Sequence, residues 1–328
     1  MKYSLIILII MTFSFLSCKK DESRPPEVPY TLKEKGNIPI FNGSNAFQQT
    51  GRQVSFGPRN PNSAGHRVAL GYFKTELEKY ADSVTLQSFI YQGYGDEKPE
   101  LTNVIAKFNP KAAKRIFLCA HWDCRPRGEQ DKNPDKRNLP IPGANDGASG
   151  VGVLLEIARI LKSNPVDYGI DIVLFDGEDY GREGDLNNYF LGSKYFASQK
   201  PSDYNPAFGV LLDLVGDKQA VFAKEGTSML FAPDVVDMIW GIAKKVNASS
   251  FSDTEGHVIE DDHVPLNQAG LTTIDIIDID LVGADTPDDR RNYWHSSNDT
   301  MENISGETLQ QVGNVLVQLI YSLKFAGM

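Results

Sequence analysis

Cysteine is scarce in this chain, with three residues in 328, too few for a disulfide scaffold. Histidine is scarce too. Only His66, His121, His257, His263 and His295 occur, so any imidazole chemistry must be assembled from that short set. Positive charge is in deficit: Lys and Arg total 33 against 43 Asp and Glu, a net charge of −10 with no basic cluster. Such a chain is a poor partner for nucleic-acid phosphates. There is no Gly-x-Ser-x-Gly elbow, no Gly-x-x-x-x-Gly-Lys-Ser/Thr loop and no Gly-x-Gly-x-x-Gly turn. Serine α/β-hydrolase, P-loop and dinucleotide chemistry therefore lack their signatures. What is present is ordinary for a globular protein, 41% hydrophobic and 23% charged, which excludes wholesale disorder.

The first residues stand apart. Met1-Lys2 is followed by a nearly all-apolar run from Leu5 to Phe15, an h-region too short for a comfortable membrane span. Leu16-Ser17-Cys18 then resembles a bacterial lipobox, in which Cys18 is lipidated and becomes the mature N-terminus. An ordinary secretory peptide with an incidental Cys18 is the other reading. Both imply export; the first implies a membrane-anchored lipoprotein facing the periplasm or on the cell surface. Residues 1–17 are thus expected to be a signal peptide and 18–36, Pro-rich at Arg24–Pro29, a tether. Residues 37–328 form the expected catalytic domain. Cys119 and Cys124 could bridge in an oxidising compartment.

Beyond residue 40 the pattern is α/β. Val68, Leu70, Phe73, Leu77 and Tyr80 mark a helical stripe. Val151, Leu154, Leu155, Ala158 and Leu161 mark another, in a helix expected over 148–161. Strands are expected at 84–90 and 103–108, and further helices at 233–246 and 306–325. The short apolar runs at 115–120, 170–175, 208–214 and 271–279 read as buried parallel strands. The expected architecture is a mostly parallel central sheet with helices on both faces, where ligands bind beyond the carboxyl ends of the strands.

Those ends carry the polar residues. His121-Trp122-Asp123 follows the first buried strand, Asp176-Gly177-Glu178-Asp179 the second, and Asp213 closes the third. Glu260-Asp261-Asp262-His263 precedes the fourth and Trp294-His295 comes after it. Gly143-Ala144-Asn145-Asp146-Gly147 lies between the first two. Taken singly, each has a bland reading: Asp146 as a helix N-cap, the Asp-Gly and Glu-Asp pairs as solvated turns, His121 as a core histidine, Asp213 as a strand cap. Together, on neighbouring strand ends, they form a candidate metal site. His121, Asp146, Asp179, Asp213 and His295 suit ligation by imidazole nitrogen and carboxylate oxygen. Glu178, next to a ligand, suits a general base. His66 and His257 read as structural or surface residues.

These blocks resemble the zinc-aminopeptidase superfamily and, within it, the animal-type glutaminyl cyclases. The matching segments are Val54–Arg59, Ala120–Asp123, Gly143–Asp146, Leu174–Asp179, Leu211–Leu214, Ile259–Pro265 and Trp294-His295, spanning about residues 40–325. Ile-Glu-Asp-Asp-His-x-Pro, the Trp before the last His and the Phe-Gly-Pro-Arg block tilt the resemblance toward the cyclases. The resemblance implies one zinc per chain held by Asp146, Asp179 and His295. It makes Glu178 the acid/base, Asp261 its hydrogen-bonding partner and Trp294 a wall of the substrate pocket. His121 and Asp213, with Asp123 beside them, fall at second-metal or supporting positions. The implied reaction turns the N-terminal glutamine of a peptide or protein into pyroglutamate with loss of ammonia. A dizinc aminopeptidase is the main alternative, and a non-catalytic peptide-binding lipoprotein a further one. Three departures from the animal pattern stand out: Asp179 replaces Glu, Asp275 replaces His, and Tyr180–Asp185 carries no Trp.

Overall fold

The computed structural model describes residues 30–33 and 37–327. The expected signal peptide, Cys18 and most of the expected tether lie outside the described residues. In chain order the elements begin with β1 (Tyr30–Leu32), α1 (Gly43–Val54), α2 (Ala64–Glu78), β2 (Ser83–Ile90), β3 (Glu100–Phe108) and β4 (Arg115–His121). Next come α3 (Ala148–Ser163), β5 (Gly169–Phe175), α4 (Leu191–Gln199), β6 (Gly209–Asp213) and β7 (Phe222–Lys224). Then follow α5 (Gly226–Phe231), α6 (Pro233–Lys245), β8 (Phe251–Glu255) and α7 (His263–Gln268). The chain closes with β9 (Thr273–Ile277), α8 (Gly306–Ser322) and β10 (Leu323–Phe325).

A six-stranded sheet runs in the order β2-β3-β5-β4-β6-β9. The block β5-β4-β6-β9 is parallel throughout, and β3 and β2 extend it antiparallel at one edge. The strands of the parallel block are near-continuous apolar runs because both faces are covered. Side chains alternate between the two faces. Ile116, Leu118, Ala120, Ile170, Ile172 and Leu174 join a core with α1, α2, α3, α6 and α8. Phe117, Cys119, Val173, Phe175 and Leu211 point the other way, onto Phe196 of α4 and Leu266 of α7. Because the block is parallel, the C-terminal ends of β4, β5 and β6 come to one pole of the sheet.

Two boundaries differ from the sequence reading. Tyr30–Leu32, inside the span read as tether, is a strand paired antiparallel with Leu323–Phe325. The expected helix 306–325 therefore stops at Ser322. The cause is aromatic packing: the Tyr30 ring sits edge-on against Phe208 and Phe325 at centroid distances of 5.1 and 6.2 Å. Burying that ring offsets the entropy of ordering the segment.

Candidate functional site

The two turns that shape the site are built on unusual backbone. After β5, Gly177 takes φ +73°, a left-handed conformation that glycine adopts without penalty. This bends the chain so that Glu178 and Asp179 enter a short 3-10 turn. Asp123 holds that turn, its Oδ1 accepting the Glu178 N–H at 3.1 Å and its Oδ2 the Asp179 N–H at 3.3 Å. Before α3, the helix begins at Gly147 with no side-chain cap. Asp146 is therefore not an N-cap, and its carboxylate is free to face the strand ends. His295 itself adopts φ +50°, a strained conformation for a non-glycine residue that the surrounding structure must hold in place.

Asp146 is the centre of the arrangement. Its Oδ1 lies 3.1 Å from His121 Nε2, and its Oδ2 lies 3.6 Å from His295 Nε2. On the His295 side, Asp179 Oδ1 approaches the same Nε2 at 3.4 Å. On the His121 side, Asp213 Oδ1 stands 3.2 Å from Nε2, and Glu178 Oε2 and Asp123 Oδ1 stand 3.6 and 3.5 Å from Nδ1. Potential ligand atoms of Asp146, Asp179 and His295 lie within 4.8 Å of one another, as do those of His121, Asp146 and Glu178. All eight expected polar residues of the site, Asp261 included, thus gather at one pole. A cavity of about 270 Å³ opens over them. Its floor is Asp146, Glu178, Asp179, Asp213, Asp261 and His295, and its walls include Trp294, Ile277 and Val282. The Trp294 ring lies flat against His295, centroids 3.3 Å apart.

Electrostatics follow from burying so many carboxylates together. Burial pushes the Glu178 carboxyl well up; His121 opposes this and Asp179 and Asp261 add to it. Asp179 is also pushed up by burial, against the pull of the Arg125 guanidinium, with Asp146 adding to the rise. Asp213 is raised to about 7, again chiefly by burial. Burial lowers His295 well below the usual range, with help from Arg125 and His121, leaving a neutral imidazole. His121 goes the other way: burial disfavours its charge, but Glu178, Asp123, Asp146 and Asp213 outweigh that.

Several residues that shape the site were given no role by the sequence. Asp299 accepts the N–H groups of Asn145 and Asp146 at 2.8 and 3.1 Å, and burial followed by Asp146 pushes its carboxyl up to about 8. Arg125, fully buried, donates to Asp179 Oδ1 at 2.6 Å. Arg59, also buried, donates to the carbonyls of Trp122, Pro142 and Gly143 and so ties β4's exit to the Asp146 turn. Positions that hold backbone around a metal or catalytic group typically cost about 10–100-fold in metal affinity or activity when removed. Asp299→Ala is accordingly expected to lower metal affinity by about that factor, read by competition with a chromophoric chelator, while far-UV circular dichroism stays native. An unchanged affinity would mean the Asn145–Asp146 turn holds its shape unaided.

Behind the site lies a second buried group. His263 Nε2 meets Glu225 Oε2 at 3.1 Å, and atoms of Asp261, His263 and Asp275 lie within 4.8 Å of one another. Burial, then Asp261, raises Asp275 well above the usual range, so a neutral carboxyl occupies the position where animal cyclases carry His. His66 is structural, as expected, its Nε2 on Asp176 at 2.9 Å and its ring stacked on Trp122. Cys119 and Cys124 are both buried free thiols, so the bridge between them does not form.

Residues 103–320 match peptidase family M28, and the chain belongs to that family. The glutaminyl cyclase of Bacteroides thetaiotaomicron, crystallised with N-acetylhistamine, is 39% identical with a TM-score of 0.82, covering 87% of this chain and 99% of that one. The Aminopeptidase YwaD of Bacillus subtilis is 26% identical over 89% of this chain, which spans only 60% of its length. The glutaminyl-peptide cyclotransferase of Gloydius blomhoffii is 23% identical over 79% of this chain and 75% of its own. The chain is therefore an enzyme of the M28 superfamily, with bacterial glutaminyl cyclases among its structural neighbours.

Proposed function

We propose that this member of peptidase family M28 is a zinc-dependent glutaminyl-peptide cyclotransferase. It would convert the N-terminal glutamine of a peptide or protein into pyroglutamate and release ammonia. The observation that carries this reading is the 39% identity to the Bacteroides cyclase across 87% of the chain. The site fits a zinc ion on its own chemistry. Oδ2 atoms of Asp146 and Asp179 are buried without any hydrogen-bond partner, and the neutral His295 supplies the nitrogen donor that zinc prefers. Asp146, Asp179 and His295 would hold the metal. When bound, zinc supplies Lewis-acid polarisation of the γ-carboxamide carbonyl.

The chain's own residues do the rest. The cavity walls of Trp294, Ile277 and Val282 hold the glutaminyl side chain folded back toward its own α-amine. That amine attacks the carbonyl carbon of the γ-carboxamide, Cδ, forming the lactam C–N bond as the bond from Cδ to the carboxamide nitrogen breaks. Glu178 accepts the proton the amine loses and returns it to the departing nitrogen, which leaves as ammonia. Closing a five-membered ring within one molecule draws on proximity for much of its rate. Asp261, on the same cavity floor and one of the charges that raise Glu178, tunes Glu178 as a base.

A co-catalytic dizinc aminopeptidase is the second reading. It is favoured by Asp146, which turns one oxygen toward His121 and the other toward His295. Against it stand the Asp261-Asp262-His263 block of cyclase type and the similarity to bacterial glutaminyl cyclases over most of the chain. Incubation with Gln-peptides and Leu-peptides separates the readings: the cyclase releases ammonia from the first and no amino acid from the second. Metal analysis is expected to give one zinc per chain; two, with leucine release, would establish the aminopeptidase.

The lipobox reading completes the proposal, with Cys18 acylated and the enzyme held on a membrane outside the cytoplasm. Cys18→Ala is expected to move the protein from the membrane fraction to the soluble one with its specific activity intact. Unchanged membrane association would remove the anchor.

A further inference from the structure

The chain enters the fold at the pole opposite the active site. His121 and Asp213 end β4 and β6, and Glu178 follows β5, so the site marks the C-terminal ends of the parallel block. Tyr30 docks at the other end. Its ring meets Phe208, the residue before β6, and Phe325, whose ring lies 5.2 Å from Tyr168, the residue before β5. Lys33 N–H then donates to the Ser322 carbonyl at 2.7 Å, fixing the far side of β1 to the end of α8. The entry point is therefore pinned by packing and by backbone pairing, with the seven residues of β5 between it and the site.

The geometry points to an enzyme whose cavity mouth faces away from the membrane that carries it, so that its substrates are chains whose N-terminal glutamine stands well clear of the bilayer, freely diffusing peptides above all, and not glutamines held close to the same membrane. This inference rests on the Cys18 anchor and on the cyclase reading above. The deciding quantity is reach. Cys18 lies twelve residues before Tyr30, a span that no conformation can extend beyond about 40 Å. A folded chain of this length has a radius of gyration of about 19 Å and so a diameter of about 50 Å. A path from the entry pole around that surface to the mouth is about 75 Å for such a sphere. The tether is too short for the mouth to meet the bilayer, whatever angle the domain takes. A glutamine held within a few residues of the same membrane cannot enter the cavity, whereas a free peptide approaches an unobstructed face.

The test uses the full-length acylated protein in phospholipid vesicles and two forms of one Gln-peptide. One form is free; the other is joined at its C-terminus to a dialkyl lipid through a two-residue spacer. The expected result is equal kcat/KM on the free peptide for the vesicle-bound enzyme and for soluble Cys18→Ala. Ammonia release from the lipid-linked peptide in the same vesicles should be at least tenfold slower, and a flexible spacer of forty residues should restore it. Equal or faster turnover of the short-spacer peptide would overturn the inference. Failure of the acylated chain to sediment with vesicles would remove the anchor, and the inference with it. Absence of ammonia from the free peptide would instead strike the cyclase reading. Orientation is then read by attaching a fluorophore at Leu32 or at Val258, which are 40% and 67% exposed. Quenching by a headgroup-labelled lipid at the Leu32 site alone supports the inference, and quenching at Val258, on the mouth, refutes it.

Discussion

Glu178→Gln is expected to lower kcat by about 10²–10⁴-fold, the usual worth of a positioned general acid/base, with zinc content and KM nearly unchanged. Glutamine keeps the size of the side chain and an oxygen that can accept a hydrogen bond, but it cannot take the amine proton. The metal group of Asp146, Asp179 and His295 does not include Glu178, so the ion should stay. The backbone should stay as well, because Asp123 grips the Glu178 and Asp179 N–H groups and not the Glu178 carboxylate. Burial raises the Glu178 carboxyl well above its ordinary range, which strengthens it as a base near neutral pH. The acidic limb of the wild-type kcat/KM profile should therefore lie above the ordinary glutamate value of about 4.3. It should be missing from the residual activity of the variant. Steady-state kinetics and metal analysis on one preparation decide the point. A variant with wild-type kcat and full zinc would transfer the proton-carrying role to another group on the cavity floor, Asp261 being the nearest in kind.

The same site shows what a sequence can and cannot reveal. The chemistry-bearing residues were legible because a parallel sheet obliges the ends of its strands to meet. Once 115–120, 170–175 and 208–214 read as buried strands, the polar residues after them had to converge. Asp299 and the Arg125–Asp179 pair were not legible because their partners are backbone groups or a carboxylate on a distant segment. Arg59 was marked only as the end of the Phe-Gly-Pro-Arg block, since the carbonyls it donates to lie 63 to 84 residues away. The helix α1 was missed for a related reason. Its buried face includes Thr50 and Gln53, which satisfy themselves by donating to the carbonyls of Ala46 and Ala148, so no apolar stripe announces it. The N-cap alternative for Asp146 is a local rule that tertiary structure overrode. Asp299 takes the N–H groups of Asn145 and Asp146 instead, and the Asp146 side chain is left for the site. Tyr30 was read with the Pro-rich segment before it, and only its distant aromatic partners place it inside the fold.

Asp179→Ala should fail in a different way from its neighbour, losing the metal and part of the fold's stability together. One carboxylate would serve two buried cations: its Oδ1 accepts from Arg125 at 2.6 Å, and its buried Oδ2 has no hydrogen-bond partner and is left for the metal. Removing one member of a buried ion pair typically costs about 3–5 kcal/mol, because the other charge is left uncompensated. Arg125 keeps Glu129 through Nε at 2.6 Å and Nη2 at 3.0 Å, so the cost should fall toward about 2–3 kcal/mol. Chelation of the wild type provides the control, since it removes the metal and leaves the Arg125 pair in place. The apo wild type should be inactive and should recover fully with one equivalent of zinc. The variant should carry no stoichiometric zinc, should recover little activity even in excess metal, and should unfold at a lower urea concentration than the apo wild type. That last comparison isolates the Arg125 contribution, because neither protein holds metal. If Asp179→Ala instead binds one zinc tightly and turns over Gln-peptide, the ion sits in the His121, Asp146 and Glu178 group. Glu178 would then be a ligand, and a different residue would have to carry the proton.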